Sequence, residues 1–172
     1  MEHVRWLAQP SLQRPILIAA FTGWNDAADA ASNGVRHLVE AWQAQPLAEI
    51  DPEEFTDFAT VRPHVRLTPQ QRRTIVWPTV GVWSASTPGG DVILVLGPEP
   101  ALRWRLFTDQ LVAIAQRFDV SMVLTLGATE EQKARYAELV PGFWMMRTGD
   151  AELHRGTRAT GIPDPLSLTS AE

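Results

Sequence analysis

Three short apolar runs set the pattern of this chain: Ile16 to Phe21, Val92 to Leu96 and Met122 to Leu126. Each ends at a glycine, Gly23, Gly97 or Gly127. The first two lack the alternation of a half-solvated strand, which predicts strands covered on both faces, as in a parallel sheet flanked by helices. After the first run, Ala27, Ala31, Val35, Leu38 and Trp42 draw one helical stripe, and Pro46 stops that helix after Gln43-Ala44-Gln45. After the second, Trp104, Phe107, Leu111, Ile114 or Ala115, and Phe118 draw another. Strand, glycine turn and helix thus recur in the order that builds βαβ units with right-handed crossovers. The first turn, Thr22-Gly23-Trp24-Asn25-Asp26, lies at a strand's carboxyl end, where open α/β sheets build ligand sites.

Between these units the signals are weaker. Met1 to Arg14 reads as an arm or a short edge element, and Leu47 to Asp51 as a short strand. Asp51-Pro52-Glu53-Glu54-Phe55 has the form of a helical turn, with Asp51 as cap, proline at the first position and Glu54 three residues after the cap. Val65 and Leu67 alternate with Arg66, which predicts a strand with one face in water. Thr74 to Trp77 is its hairpin partner across the loop Pro69 to Arg73. Thr79 to Gly90 is rich in Gly, Ser, Thr and Pro and reads as a loop or irregular strand. Glu130 to Val140 is a further helix, and Arg147 to Glu172, poor in large apolar residues, a loosely ordered tail. The organisation expected is an arm (1–14), one α/β domain (15–146) and a tail (147–172).

Composition narrows the function classes. The 172 residues, 45% hydrophobic and 20% charged, suit one globular domain with a sizeable core. Without cysteine there is no disulfide, thiolate metal site or cysteine nucleophile. A net charge of −5 speaks against an extended phosphate-binding surface, so no nucleic-acid partner is expected, although Arg72-Arg73 and Arg103 with Arg105 are locally basic. The first fourteen residues lack a secretory apolar core and no apolar run reaches membrane-span length, so a cytoplasmic protein without a membrane partner is expected.

Two uses of the strand-end turns are open. In an enzyme, Asp26 and Glu99 would be paired carboxylates separating into acid and base, with Asn25 and the Gly23 backbone holding an anion or polarised carbonyl. In a purely structural role, Asn25 or Asp26 caps the helix, Asp29 adds charge to its first turn, and Glu99 follows Pro98 into the next element. No pair among His3, His37, His64 and His154 has metal-ligand spacing, and no metal or cofactor is expected. Arg62 and His64 could line a cleft. Ser84 and Ser86 lack a nucleophile-elbow context, and no phosphate loop occurs. Of the seven tryptophans, Trp24, Trp77, Trp83 and Trp104 fall at strand ends or helix starts, where aromatics anchor interfaces.

Four phrases in order, AAFTGWNDAADAAS, AEIDPEEFTDFATVRPHV, TIVWP and VLGPEPALRWRLF, resemble the actinobacterial branch of the proteasome assembly chaperone two family. The resemblance runs from about Pro15 to Gly127. It implies a three-layer α/β/α fold with a mostly parallel sheet, similar to nucleoside phosphorylases, and frequent self-association. For distant eukaryotic and archaeal relatives it implies escort of proteasome subunits; for the bacterial branch it implies no settled activity. Matching positions are Phe21, Gly23, Trp24, Asn25, Asp26, Asp51, Pro52, Glu54, Phe55, Asp57, Arg62, Pro63, Trp77, Pro78, Gly97, Glu99, Pro100, Trp104 and Phe107. Beyond Ala128 the family's Pro-His-Thr-Arg and Tyr-Glu-Gly-Pro-Thr-Gly motifs are missing or altered, so a truncated sheet is expected. The final residues, Leu168 to Glu172, lack the tyrosine with which assembly chaperones dock on proteasomes. The reading that results is a non-enzymatic, chaperone-like protein that forms a homo-oligomer through helix faces and aromatic turns and binds proteasome-type subunits. Gly23, Trp24, Asn25, Arg62, Glu99 and Trp104 are its candidate binding residues, and a phosphorylase-type or hydrolase-type enzyme using Asp26 and Glu99 is the alternative.

Overall fold

The computed structural model describes residues 3–127. The expected helix Glu130 to Val140, the tail and the altered distal motifs lie outside them. Eight strands and two helices follow one another as β1 (Val4–Trp6), β2 (Ile16–Thr22), α1 (Ala30–Ala41), β3 (Gln45–Ile50), β4 (His64–Leu67), β5 (Arg73–Val76), β6 (Val80–Thr87), β7 (Gly90–Pro98), α2 (Trp104–Arg117) and β8 (Met122–Leu126). Six strands form one sheet in the order β1-β3-β6-β7-β2-β8, and β4 and β5 pair separately as the expected hairpin.

The sheet is mixed. β2 runs parallel to both β7 and β8, whereas β6 is antiparallel to β7 and β3, and β1 is antiparallel to β3. Among the described residues, parallel pairing is therefore confined to the three strands of the strand-turn-helix repeats. The reason is Thr79 to Gly90: its Gly-Ser-Thr composition hides a full strand, β6, which turns through Pro88-Gly89 directly into β7. Where composition predicts a loop or irregular strand, the structure has a regular strand. Its alternate side chains Val80, Val82 and Ser84 are buried, and burial overrides weak local propensity.

Each face of the sheet is covered by one helix. Leu17, Ala19, Ile50, Val82, Ile93 and Val95 pack with Phe107 and Ile114 of α2, while Ala20, Leu94 and Leu126 pack with Ala31 and Val35 of α1. Both stripes read from sequence are thus the core-facing ones, with Leu38, Trp42, Leu111, Ala115 and Phe118 at their margins. The N-terminal arm is an edge strand whose Val4 opposes Ile50. Pro46 sits in β3 at a bulge, where a missing N–H disturbs the ladder least.

The helices are shorter than their stripes. α1 ends at Ala41 because Gln43 adopts φ 50, with Ala44 N–H donating to the Val39 carbonyl at 2.9 Å and Gln43 N–H to the Glu40 carbonyl at 3.1 Å. This is a Schellman closure with glutamine where glycine is usual. α2 ends identically, with Asp119 at φ 49 and Val120 N–H on the Ala115 carbonyl.

Candidate functional site

β2, β3, β7 and β8 point the same way, so their carboxyl ends share one rim of the sheet with the start of β6. From β2 the chain leaves through α1 on one face, and from β7 through α2 on the other. Adjacent parallel strands whose connections depart to opposite faces leave a crevice between their loops, the usual ligand position of α/β sheets. Gly23 and Glu99 occupy that crevice. A Cβ on Gly23 would lie 2.6 Å from Glu99 Cδ and 2.9 Å from its Oε2, so the Glu99 carboxylate rests over the bare glycine backbone. Glu99 N–H donates to the Thr22 carbonyl at 3.0 Å, carrying the β2–β7 ladder one step past Pro98. On the other side of the same turn, a Cβ on Gly127 would stand 3.4 Å from Asn25 Nδ2. The turn thus spans the ends of all three parallel strands.

Asp26 is 6% exposed and faces inward. Its Oδ1 accepts from Ala31 N–H at 2.8 Å and Ser32 N–H at 3.1 Å, the second and third amides of α1. The cap expected of Asn25 or Asp26 is therefore made by Asp26, but across an inserted 3-10 turn, Ala27–Asp29. Asp29, in the N-cap position, makes no side-chain cap bond because its backbone is left-handed at φ 55; Ala28, also at φ 55, precedes it. An alanine there is strained by about 1–2 kcal/mol. Ala27 consequently starts the turn and not the helix. The second Asp26 oxygen, Oδ2, has no partner among the described residues.

Trp24 stands at the apex of this turn, 90% exposed. Trp104, first residue of α2, is 54% exposed and lies outside the buried stripe assigned to it, and Leu102 beside it is also exposed. Beneath them, Phe107 makes edge contacts with Phe21 at 5.7 Å and Phe55 at 5.4 Å, centroid to centroid. The Pro52 turn forms as read, with Phe55 and Thr56 N–H on the Pro52 carbonyl and Glu53 N–H on Asp51 Oδ1. Glu54 does not reach back to close a capping box; it pairs with Arg103, while Ala101 and Leu102 N–H donate to the Phe55 carbonyl. Arg62 is not drawn to this crevice: its Nε approaches only the Ala59 carbonyl, three residues back in its own loop.

Sequence reasoning missed a second concavity. Arg5, Glu49, Asp51, Pro52, Glu53, Trp77 and Thr79 line a cavity of about 320 Å³ at the β1–β3 side of the same rim. Three separate segments contribute, so no local motif announces it. Arg5 pairs with Glu49. Among the described residues, no cluster of three potential metal ligands occurs, and no helix is long and apolar enough to cross a membrane.

The PAC2 family model matches residues 20–165. The chain belongs to the PAC2 family. The match runs past Gly127, the limit of the resemblance read from the sequence. A solved PAC2 family protein from Streptomyces avermitilis is 33% identical, over 87% of this chain and 72% of its own, at a TM-score of 0.61. A proteasome-assembly chaperone homologue from Mycobacterium tuberculosis is 32% identical, over 86% and 71%, also at 0.61. An archaeal proteasome activator from Pyrococcus furiosus, 15% identical at a TM-score of 0.54, shares the fold. No curated protein matches.

Proposed function

We propose that this PAC2 protein is a non-enzymatic, cytoplasmic, chaperone-like interaction protein that self-associates and binds proteasome-type subunits with the rim bearing Gly23, Trp24, Asn25, Glu99 and Trp104. Membership of the family, and the relation to a protein described as a proteasome-assembly chaperone homologue, support the chaperone-like part. One observation carries the choice of rim: Asp26 Oδ1 is engaged with the α1 amides and the Glu99 carboxylate rests on the Gly23 backbone, while Trp24 is 90% exposed at the apex. An indole held in water on an anchored turn fits a partner's pocket better than it serves a reaction. On this reading Arg62 contributes to an outer rim only.

The test is binding of purified proteasome α-type subunits to the full chain by calorimetry. Micromolar or tighter binding, weakened at least about tenfold by Trp24→Ala or Trp104→Ala, is expected; absence of binding overturns the proposal. A second reading, a small-molecule enzyme of phosphorylase or hydrolase type, is favoured by the unpartnered buried Asp26 Oδ2 near a second carboxylate's crevice. It requires nucleoside or ester turnover that disappears in Asp26→Asn or Glu99→Gln proteins of unchanged fold.

A further inference from the structure

The β4–β5 hairpin stands apart from both core clusters. A lone two-stranded hairpin is marginal in water and needs a packing partner. Here Val65 faces Ile75 across the ladder and Leu67 faces Arg73, so alternation puts all four on one side. Val65, Leu67 and Ile75 are 62%, 63% and 59% exposed, and Trp77, just past the strand, is 49% exposed with its ring in edge contact with Phe58. An apolar strip therefore runs from an arginine near the hairpin tip to an indole at its base.

Charge along that strip is asymmetric. The segment from Arg62 to Pro78 holds four arginines and no carboxylate, in a chain of net charge −5. At the base, Trp77 belongs to the cavity that also contains Asp51 and Glu53, neither of which has a cationic partner among the described residues. One end of the strip is cationic and the other is an acidic pocket with an aromatic wall.

We infer that this face is covered by a second copy of the same chain, two hairpins packing antiparallel about a two-fold axis so that Arg73 of each enters the Asp51–Glu53–Trp77 pocket of the other. A two-fold contact is isologous, each contact being made twice, and a strip with opposite charges at its two ends is complementary to itself only when reversed. The reversed pairing separates the arginine tips, sets Val65 and Ile75 against their counterparts, and gives the guanidinium both carboxylates and an indole face. A parallel pairing would instead place arginine tips together. A foreign acidic partner would satisfy the arginines but leave the acidic pocket unused.

The inference deepens the proposed self-association and rests on it. Its test is the mass of the full chain by light scattering and sedimentation, at low and at about 0.5 M salt, where surface ion pairs are screened. The wild type is expected to be a dimer, or an even-numbered oligomer built from it, that weakens in salt. Arg73→Glu and Glu53→Arg should each weaken dimerisation at least about tenfold, and the double variant carrying both should restore it. Both positions are exposed, and a circular-dichroism melt checks that each variant folds. An oligomer indifferent to both substitutions, or weakened by each and not restored by the pair, overturns the surface and leaves self-association standing. A monomeric wild type overturns both and assigns the strip to a different protein. Capture of α-type subunits, measured separately, decides the chaperone reading whatever the mass.

Discussion

Removing the Asp26 side chain isolates the question of what the strand-end turn is for. Asp26→Ala deletes one carboxylate oxygen that accepts from two buried amides, Ala31 N–H and Ser32 N–H. A hydrogen bond to a charged acceptor contributes about 1.5–3 kcal/mol, and a helix cap typically about 1 and at most about 2. Because the two bonds share one oxygen, the combined loss should be about 2–4 kcal/mol. For a chain of this length each kcal/mol corresponds to roughly 2–4 °C in Tm, so Asp26→Ala should melt about 4–16 °C lower. Asp26→Asn keeps the accepting Oδ1 and loses mainly the charge at the α1 amino terminus, about 1 kcal/mol. Its Nδ2 replaces an oxygen that already lacks a partner, so that exchange adds little. Thermal and urea melts of wild type and both variants check the order: wild type above Asn, Asn well above Ala. If alanine melts with wild type, or asparagine is the worse of the two, Asp26 is not held as a cap.

Three further expectations follow from backbone and charge. Gln43→Gly should stabilise the chain by about 0.5–1 kcal/mol, since relief of a left-handed glutamine outweighs the extra freedom of glycine in the unfolded chain; a urea midpoint moving the other way contradicts the Schellman closure. Gly97→Ala should cost about 1–3 kcal/mol, because its Cβ would lie 2.6 Å from the Val80 Cα and must part β6 from β7. Gly23→Ala should also lower the melt, because it adds backbone strain at φ 159 to a Cβ 2.6 Å from Glu99 Cδ. Asp91 is held below the usual carboxylate range first by the Ser86 hydroxyl, which donates to its Oδ1, and then by Gln13 N–H on its Oδ2. A depressed folded pKa stabilises above the unfolded value of 3.8 and loses that effect as pH falls through the folded one. Asp91→Asn should therefore melt below wild type at pH 7, with the gap closing in melts taken below about pH 3.8.

Much of the fold was legible because its main signals are local. The apolar runs at Ile16, Val92 and Met122 gave three parallel strands, the two helical stripes gave the two helices, and Val65-Arg66-Leu67 gave a hairpin. What failed was decided by distant residues. β6 has turn-like composition and becomes a strand only because β3 and β7 lie on either side of it. A cap at Asn25 or Asp26 was legible, but the 3-10 turn between Asp26 and α1 was not, since nothing in Ala27-Ala28-Asp29 announces two left-handed residues. Trp104 fits a helical stripe by count yet lies past its buried edge, one position from the left-handed Arg103 that starts α2.

The same distinction explains why the candidate site was only half legible. Gly23 and Glu99 were each visible as strand-end residues, but 76 positions separate them, and their contact depends on β7 lying beside β2. Once they meet, the crevice is narrow because glycine admits the carboxylate against the backbone, and Asp26 is turned inward to α1. Phe21, Phe55 and Phe107, taken from three separate segments, meet edge to face beneath that crevice and tie it to the Pro52 turn. The motif positions shared with the family therefore serve one another first: aromatics make the floor, and the glycine and carboxylates make the turn that stands on it. Trp24 departs furthest from that pattern, because it contributes nothing to that support and is nine-tenths in solvent. A large indole kept in water at the end of so constrained a turn is the feature on which a binding role, as opposed to a purely structural one, depends.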